Sequence, residues 1–322
     1  MRVVFWGSPE FAVAVLEAVL ASAHEVAGVV TRPAEPGGRG RRPRPTPVAR
    51  LAKSAGLETL TPKRLRGQAF REELAALGAD IFLVAAYGAI LPPDIFSLPP
   101  HGSINVHASL LPEYRGAAPV TRAILDGKAD TGVTIMRMEA GLDTGAICLQ
   151  AAEPVLEGDT AQTLTRRLAV LGGRAAVEAL DRLQAGTLTE TPQDDARASY
   201  AAKVTTGEAR IDWSLPAATI ERAVRAFDPW PGAWTTFRDE RLKVFRAGLA
   251  QDPGEHPGAR PGAPETGPER GPGEIQSTDP APIVRTGDGL VRLDVVQPPG
   301  GRRMKGADWA RGRGVVTGET LG

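Results

Sequence analysis

The sequence predicts two domains of different classes, an α/β domain with a mainly parallel sheet followed by a small β-barrel. Three observations lead to this prediction. The chain has 322 residues, about twice the usual length of a single domain. Its first part alternates strand-like and helix-like segments, which is typical of a parallel sheet. Its last third contains short strand-like segments separated by turns, which is typical of a small barrel.

The elements of the first part follow from local patterns. Residues 2–6 form an apolar, strand-like run. Ser8 and Pro9 then supply a cap and a first-turn proline, so a helix should begin there and continue to about residue 21. Apolar spacing and glycine stops predict the remaining elements: strands at 26–30, 81–86, 104–106, 132–138 and 146–151, and helices at 65–77, 117–126 and 160–185.

The second part differs in character. We predict a helix at 220–226 and five strands, at 234–238, 241–247, 274–277, 282–286 and 290–296. Trp230 and Trp234 lie in a proline-containing turn, which favours packing in the core over base stacking. Residues 252–273 include six prolines and six glycines, too little apolar surface for folding, so we expect a disordered insertion. The predicted divisions are a first domain at 1–189, a linker at 190–205 and a second domain at 206–322.

Composition restricts the classes of function. Thirty-eight basic residues balance 38 acidic ones, so any binding to nucleic acid or membrane has to be local. The single cysteine, Cys148, excludes an intrachain disulfide and a cysteine-rich zinc site, and it fits a reducing compartment. The longest apolar stretch, 81–91, is far shorter than the ~20 residues that span a bilayer. We therefore expect a cytoplasmic protein that is not inserted in a membrane.

Three polar residues form the candidate catalytic site. Asn105 and His107 lie two positions apart on a predicted strand, so their side chains share one face. Asp143 lies in a glycine-flanked turn between two apolar strands. A carboxylate can orient an imidazole, and an asparagine amide can donate to a developing oxyanion. The set suits acyl-type transfer to an amine that the substrate brings.

Other kinds of site fit less well. A metal site would need a second histidine ligand, and no H-E-x-x-H pattern occurs, so no metal is predicted. The turn Gly7-Ser8-Pro9 lacks the G-x-G-x-x-G pattern of dinucleotide-binding proteins. No phosphate-binding loop of the G-x-x-x-x-G-K-[ST] type occurs either.

A basic stretch at 31–52 carries six arginines and one acidic residue. Its prolines and glycines favour an extended surface segment. An arginine-rich loop is often merely solvated, but guanidinium groups pair bidentately with phosphate oxygens. A nucleic-acid partner is therefore a live hypothesis. A second basic cluster near the C-terminal end of the predicted barrel, residues 302–313, is compatible with it.

Long segments of the chain resemble the methionyl-tRNA formyltransferase family. The central pattern is INVHASLLPEYRGAAP followed by TGVTIMRMEAGLDTG. Further matching segments are VVFWGSPEFA, GGRGRRPRPTPV, AAYGAILP, EARIDWS and RAFDPWPGAW. The N-x-H, SLLP and D-x-G elements are typical of the wider group that uses 10-formyl-tetrahydrofolate, whereas the basic loop and the second domain narrow the resemblance to enzymes acting on tRNA.

The resemblance implies a Rossmann-like formyltransferase domain and an OB-like, tRNA-binding barrel. It implies transfer of a formyl group from 10-formyl-tetrahydrofolate to initiator methionyl-tRNA, for translation initiation, by a cytoplasmic protein that we expect to be a monomer. Asn105, His107 and Asp143 would be catalytic. Folate would contact Ser109, Leu110, Leu111 and Pro112, together with Tyr87, Gly88, Ala89, Ile90 and Leu91. The tRNA would contact Arg39, Arg41, Arg42 and Arg44. This loop is richer in arginine and proline than the family's usual lysine-bearing form.

Two alternatives stay open at this point. A folate-dependent formyltransferase acting on an amino-sugar nucleotide would use the same chemistry without needing the basic loop. A non-enzymatic RNA-binding protein would use the barrel and the loop but leave the Asn-His-Asp set without a purpose. Formyltransferases that act on glycinamide ribotide end near 200 residues and do not fit the length.

Overall fold

The computed structural model describes residues 1–37, 42–251 and 271–322. Within these ranges the chain forms two compact units. Unit 1 comprises residues 1–120, 129–155 and 163–202, and unit 2 comprises 121–128, 156–162 and 203–322. Most of the predicted insertion at 252–273, up to residue 270, lies outside the described residues.

Unit 1 is built on a seven-stranded sheet. Its strands are β1 (Arg2–Gly7), β2 (Glu25–Val30), β5 (Thr59–Leu60), β6 (Ile81–Ala85), β7 (Ser103–His107), β9 (Asp130–Arg137) and β10 (Ile147–Pro154). Their spatial order is β10-β9-β7-β6-β1-β2-β5. The five strands from β7 to β5 are parallel, whereas β9 is antiparallel to both of its neighbours, β7 and β10, so that only β9 runs in the opposite direction. The predicted mainly parallel sheet is confirmed.

Two short ribbons accompany the sheet. Strands β3 (Glu35–Gly37) and β4 (Arg42–Arg44) pair antiparallel in the basic stretch. Strands β8 (Arg115–Gly116) and β11 (Tyr200–Ala201) pair in parallel. Neither ribbon was predicted, because strands of two or three residues are too short to show a period of two.

The α-helices up to residue 184 are α1 (Glu10–Leu20), α2 (Pro47–Ser54), α3 (Gln68–Ala76), α4 (Pro93–Phe96), α5 (Pro119–Leu125) and α6 (Ala161–Gln184). Pro47 occupies the first turn of α2, and the Thr46 hydroxyl accepts from the Ala49 amide at 3.0 Å, a standard N-cap. Helix α3 begins later than predicted, because its preceding Gly67 has a φ of +109° that no helix contains.

Helix α6 packs closely through two adjacent glycines, of which Gly172 faces the sheet and Gly173 faces helix α1. A Cβ atom on Gly172 would lie 2.9 Å from a methyl group of Val106 in β7, and one on Gly173 would lie 2.8 Å from the Ala18 side chain. These distances are shorter than ordinary van der Waals contacts. Gly172 therefore lets the longest helix of unit 1 pack directly behind the strand that carries Asn105 and His107, and Gly173 lets the same helix approach α1.

Unit 2 contains an antiparallel sheet. Its strands are β12 (Ala233–Phe237), β13 (Glu240–Ala250), β14 (Ile275–Ser277), β15 (Ile283–Arg285), β16 (Leu290–Gln297) and β17 (Met304–Lys305). The order is β12-β13-β16-β15-β14, with β17 beside β16. Helices α7 (Ala217–Ala226) and α8 (Gly306–Arg313) belong to the same unit. The predicted change from a mainly parallel α/β part to a β part is confirmed.

The interpretation of the tryptophan turn was wrong for Trp230. This side chain is 61% exposed. Trp234 is half-buried, and the guanidinium of Arg241 lies 4.0 Å from its ring centroid. Strand β12 begins only at residue 233, so Trp230 precedes the strand and its alternation of buried and exposed faces.

Candidate active site

Strand β7 carries the first two candidate residues. Asn105 and His107 point to the same face, because successive side chains of a strand alternate. In the register with β9, Asn105 lies opposite Met136 and His107 opposite Thr134. His107 is buried and Asn105 is half-buried. His107 is also the last residue of β7, at the edge of the sheet where open α/β folds place their sites.

His107 lies between two acceptors. Its Nε2 is 2.9 Å from the carbonyl oxygen of Tyr114, and its Nδ1 is 3.6 Å from Oδ2 of Asp143. A carbonyl oxygen only accepts hydrogen bonds, so Nε2 carries a hydrogen. The Nδ1 atom faces a carboxylate. The 3.6 Å separation is longer than a hydrogen bond, and it places Asp143 where its charge stabilises the imidazole whenever that ring is protonated.

Asp143 reaches His107 because the turn after β9 folds back. The register of β7 and β9 places Arg137, at the end of β9, opposite Ile104 near the start of β7. The following segment returns along β7 and brings Asp143 to the imidazole. Asp143 has a φ of +53°, a conformation that aspartate tolerates better than most residues. Its Oδ2 accepts from the backbone amide of Gly116 at 2.8 Å.

The Asn105 amide has no hydrogen-bond partner within the described part of the chain, although the side chain is half-buried. A polar group in such a position usually has a partner, so the amide is free to bind a ligand. Asn105 is also the only asparagine among the 322 residues. The sequence alone therefore distinguishes Asn105 as the one position where an asparagine amide is available.

The segment Ser109 to Pro112 is held by buried hydrogen bonds. Thr134, fully buried on β9, donates to the Ser109 carbonyl at 2.7 Å and accepts from the Leu111 amide at 3.0 Å. Gln150 on β10 donates to the Leu111 carbonyl at 2.8 Å and to the Thr134 hydroxyl at 2.9 Å. Sequence reasoning missed Thr134 and Gln150, because both act across strands that are distant in sequence.

The other predicted folate segment, Tyr87 to Leu91, divides by exposure. Tyr87 and Leu91 are buried in the core around Trp6, with the Tyr87 ring 5.2 Å from the Trp6 ring. Burial raises the pKa of Tyr87 to about 12, so its phenol stays neutral. Gly88, Ala89 and Ile90 are exposed. The exposed middle of the segment is therefore the part that a ligand can contact.

The predicted tRNA-contacting arginines are only partly described. Arg39 and Arg41 lie outside the described residues. The backbone of Arg42 pairs with Gly37 across the β3–β4 ribbon, and Arg44 is exposed at the end of the same ribbon.

Metal sites and membrane-spanning helices are both absent from the described residues. No group of three or more His, Cys, Asp or Glu side chains there converges as a metal site would require. None of the helices in that part of the chain has the length and hydropathy needed to cross a lipid bilayer.

Burial raises the pKa of Cys148 to about 11, so its thiol is a poor candidate for a nucleophile.

Known families match both units. Residues 1–180 match the family described as "Formyl transferase", and residues 203–314 match "Formyl transferase, C-terminal domain". A methionyl-tRNA formyltransferase of Roseiflexus castenholzii is 45% identical over 323 residues, which cover 100% of this chain and 99% of the relative.

Solved structures show the same fold at low identity. The N-formyltransferase of Helicobacter canadensis, in complex with folinic acid and dTDP-3-aminofucose, superposes with a TM-score of 0.64 at 18% identity, covering 91% of this chain and 98% of that one. HypX of Aquifex aeolicus, in complex with tetrahydrofolic acid, gives a TM-score of 0.62 at 17% identity and 96% coverage of this chain. The chain spans about half of HypX, 47% of its length.

Proposed function

The chain belongs to the methionyl-tRNA formyltransferase family, and we propose that Asn105, His107 and Asp143 carry out its reaction. The reaction transfers a formyl group from 10-formyl-tetrahydrofolate to the free amino group of methionyl-tRNA. The observation that carries the proposal is the 3.6 Å approach of His107 Nδ1 to Asp143 Oδ2, on the strand that also carries Asn105, whose amide has no partner among the described residues.

The chemistry needs charge stabilisation and a route for one proton. The neutral α-amine of methionine attacks the formyl carbon, and a C–N bond forms while the carbonyl oxygen becomes an oxyanion. Collapse of this tetrahedral intermediate breaks the bond between the formyl carbon and N10 of the folate. The amine loses one proton, and N10 gains one. No nucleophilic side chain is required.

Asn105 would donate a hydrogen bond to the oxyanion. Its amide is preorganised on a strand and has no competing partner in the described structure. A donor held in place costs no reorganisation when the charge develops, and such donors typically contribute about 2.7 to 4 kcal/mol to the barrier. The Asn105 amide can therefore donate a hydrogen bond to the negatively charged oxygen of the tetrahedral intermediate.

His107 and Asp143 would act together as an oriented imidazole–carboxylate pair. The Nε2 atom is hydrogen bonded to the Tyr114 carbonyl, so it is not available as a base, and Asp143, 3.6 Å from Nδ1, would orient the ring and stabilise its protonated form. The second carboxylate oxygen of Asp143, Oδ1, has no hydrogen-bond partner in the described ranges. It is therefore the acceptor we propose for the amine proton, which N10 then receives on leaving.

Substrate binding would use the segments around this centre. We propose that the folate contacts Ser109 to Pro112 and the exposed part of Tyr87 to Leu91, and that initiator methionyl-tRNA contacts the loop that contains Arg39, Arg41, Arg42 and Arg44. The division into a catalytic domain at 1–189, a linker at 190–205 and a tRNA-binding domain at 206–322 stays a proposal. So do a monomeric state and the cytoplasm, where aminoacylated tRNA is used.

The experiment that tests the function compares two acceptors. The purified protein is incubated with 10-formyl-tetrahydrofolate and either methionyl-tRNA or a dTDP-amino sugar, and formylated product is measured. We expect transfer to methionyl-tRNA and little to the sugar. Transfer to the sugar alone would establish the rival formyltransferase, and binding of tRNA without transfer to either acceptor would favour an RNA-binding protein.

The same assay tests the residues. Asn105→Ala, His107→Ala and Asp143→Ala should each lower turnover strongly while tRNA binding stays near the wild-type value. Wild-type turnover in one of the three variants would remove that residue from the mechanism.

A further inference from the structure

The segment 191–201, at the end of unit 1, contacts the turn that carries Asp143. We propose that Gln193 in this segment is a positioning residue that holds Asp143 in place for formyl transfer. The proposal rests on the catalytic role proposed above for Asp143. It assigns a task to a stretch that sequence reasoning took for a linker.

Gln193 uses both ends of its amide on the site. Its Nε2 donates to the carbonyl oxygens of Asp143 and Gly145, each at 2.8 Å. Its Oε1 accepts from Nε of Arg115 at 3.0 Å. Two carbonyl oxygens on one side and a guanidinium on the other fix which end of the amide is nitrogen. The side chain therefore binds the backbone of the turn on both sides of Thr144, at Asp143 and at Gly145.

Three consecutive residues connect this contact to the catalytic pair. The Tyr114 carbonyl accepts from His107, the Arg115 side chain donates to Gln193, and the Gly116 amide donates to the Asp143 carboxylate. Arg115 is mostly buried, with a side chain 13% exposed, and it also pairs with Asp195 at 2.7 Å. Gln193 therefore holds the backbone of Asp143, while the residue after Arg115 holds its carboxylate.

Segment 191–201 is itself hydrogen bonded to residues 114–117, which include strand β8. Ser199 accepts from the Tyr114 amide through its hydroxyl at 2.8 Å and from the Arg115 amide through its carbonyl at 2.9 Å. The Ala117 amide donates to the Ala201 carbonyl at 2.9 Å. Segment 191–201 and residues 114–117 thus form one hydrogen-bonded frame, and Gln193 is the side chain by which that frame reaches the turn.

The turn benefits from such support because the left-handed backbone region, although aspartate adopts it more readily than most residues, is still less favourable than ordinary helical or extended backbone. Asp143 has a φ of +53°, and a residue in this region persists only when its surroundings hold it there. A displacement of about 1 Å in an active site can lower the rate ~100-fold. Loss of the two donor bonds should therefore appear in the chemical step and not in substrate binding.

Two substitutions test the amide. Gln193→Glu keeps the length and the acceptor for Arg115 but loses both donors, and Gln193→Leu loses all three bonds. We expect kcat for formyl transfer to methionyl-tRNA to fall ~10-fold or more in both variants, with the KM values for folate and tRNA unchanged. The matched control is Gln68→Glu on the exposed face of α3, which should keep wild-type kcat. Wild-type kcat in Gln193→Glu overturns the proposal.

A double-mutant cycle separates positioning from general support of the fold. If Gln193 acts through Asp143, Gln193→Glu lowers kcat in the wild-type background but has no further effect in an Asp143→Ala background. Equal losses in both backgrounds overturn the proposal, because Gln193 would then act independently of Asp143. Wild-type kcat in Asp143→Ala alone contradicts the proposed function itself. The two failures are therefore distinguishable.

Discussion

Replacement of Asn105 by alanine separates catalysis from folding more cleanly than any other substitution in the site. The Asn105 amide makes no hydrogen bond to the described residues, so truncation leaves no buried group without its partner. The penalty of about 1–3 kcal/mol for an orphaned polar group therefore does not arise. We expect the free energy of unfolding to change by less than about 1 kcal/mol, compared with wild type.

The effect on the reaction should be far larger. Loss of one oxyanion donor raises the barrier by about 2.7 to 4 kcal/mol, and each 1.36 kcal/mol is a factor of ten in rate. Formyl transfer in Asn105→Ala should therefore be ~100- to 1000-fold slower. KM for methionyl-tRNA should stay the same, because the donor acts on charge that is absent from the bound substrate.

The assay is single-turnover formyl transfer at saturating folate and methionyl-tRNA, accompanied by denaturant unfolding of the same preparations. The control is Gln68→Ala, which removes an exposed side-chain amide of the same unit. A rate for Asn105→Ala within about threefold of wild type, less than ~1 kcal/mol in the barrier, would refute the role of Asn105. A parallel loss of stability and rate would instead make Asn105 a structural residue.

Three further predictions concern the surroundings of the site. Gln150→Leu removes two hydrogen bonds to the segment at 109–112, so it should raise KM for the folate more than KM for tRNA in steady-state kinetics; equal KM values contradict this. Burial lowers the pKa of His24 below 6.5 in the folded state, so the unfolded chain binds the proton more readily and Tm should fall as pH drops below about 6.5. His24→Gln should reduce the pH dependence of Tm in thermal unfolding. An unchanged pH dependence would show that His24 is not its cause. Alanine at Arg39, Arg41, Arg42 and Arg44 should weaken tRNA binding and reduce the salt dependence of that binding, because fewer counterions are released. An unchanged salt slope would refute the role of the loop in binding tRNA.

Much of the fold could be predicted because its main elements carry strong periodic or stop patterns. The run before Gly7, the apolar face of α1 and the long periodicity of α6 each identify one element within a few residues. The alternation of these elements predicts a parallel sheet. The short ribbon β8–β11 could not be predicted, because its strands depend on pairing between residues 85 positions apart and not on local preference.

The candidate site divides in the same way. Asn105 and His107 could be paired from their spacing on one strand, and Asp143 stood out through its flanking glycines. The structure places Asp143 beside His107 only by folding the turn back along β7. Gln193 was not predicted as a site residue, because it lies in the polar stretch at 190–205, which has no apolar periodicity and was therefore interpreted as a linker. Its hydrogen bonds to a turn 50 residues earlier leave no trace in the local sequence.

The position of the formyl group relative to Asn105 is the measurement that tests the account most directly. A crystal structure of the protein with a stable formyl-bearing folate would give it. We expect the formyl oxygen about 2.7–3.1 Å from Nδ2 of Asn105, with the formyl carbon open to attack from the side of Asp143. A folate bound with its formyl group turned away from β7, and Asn105 hydrogen-bonded to the protein instead, would contradict the account.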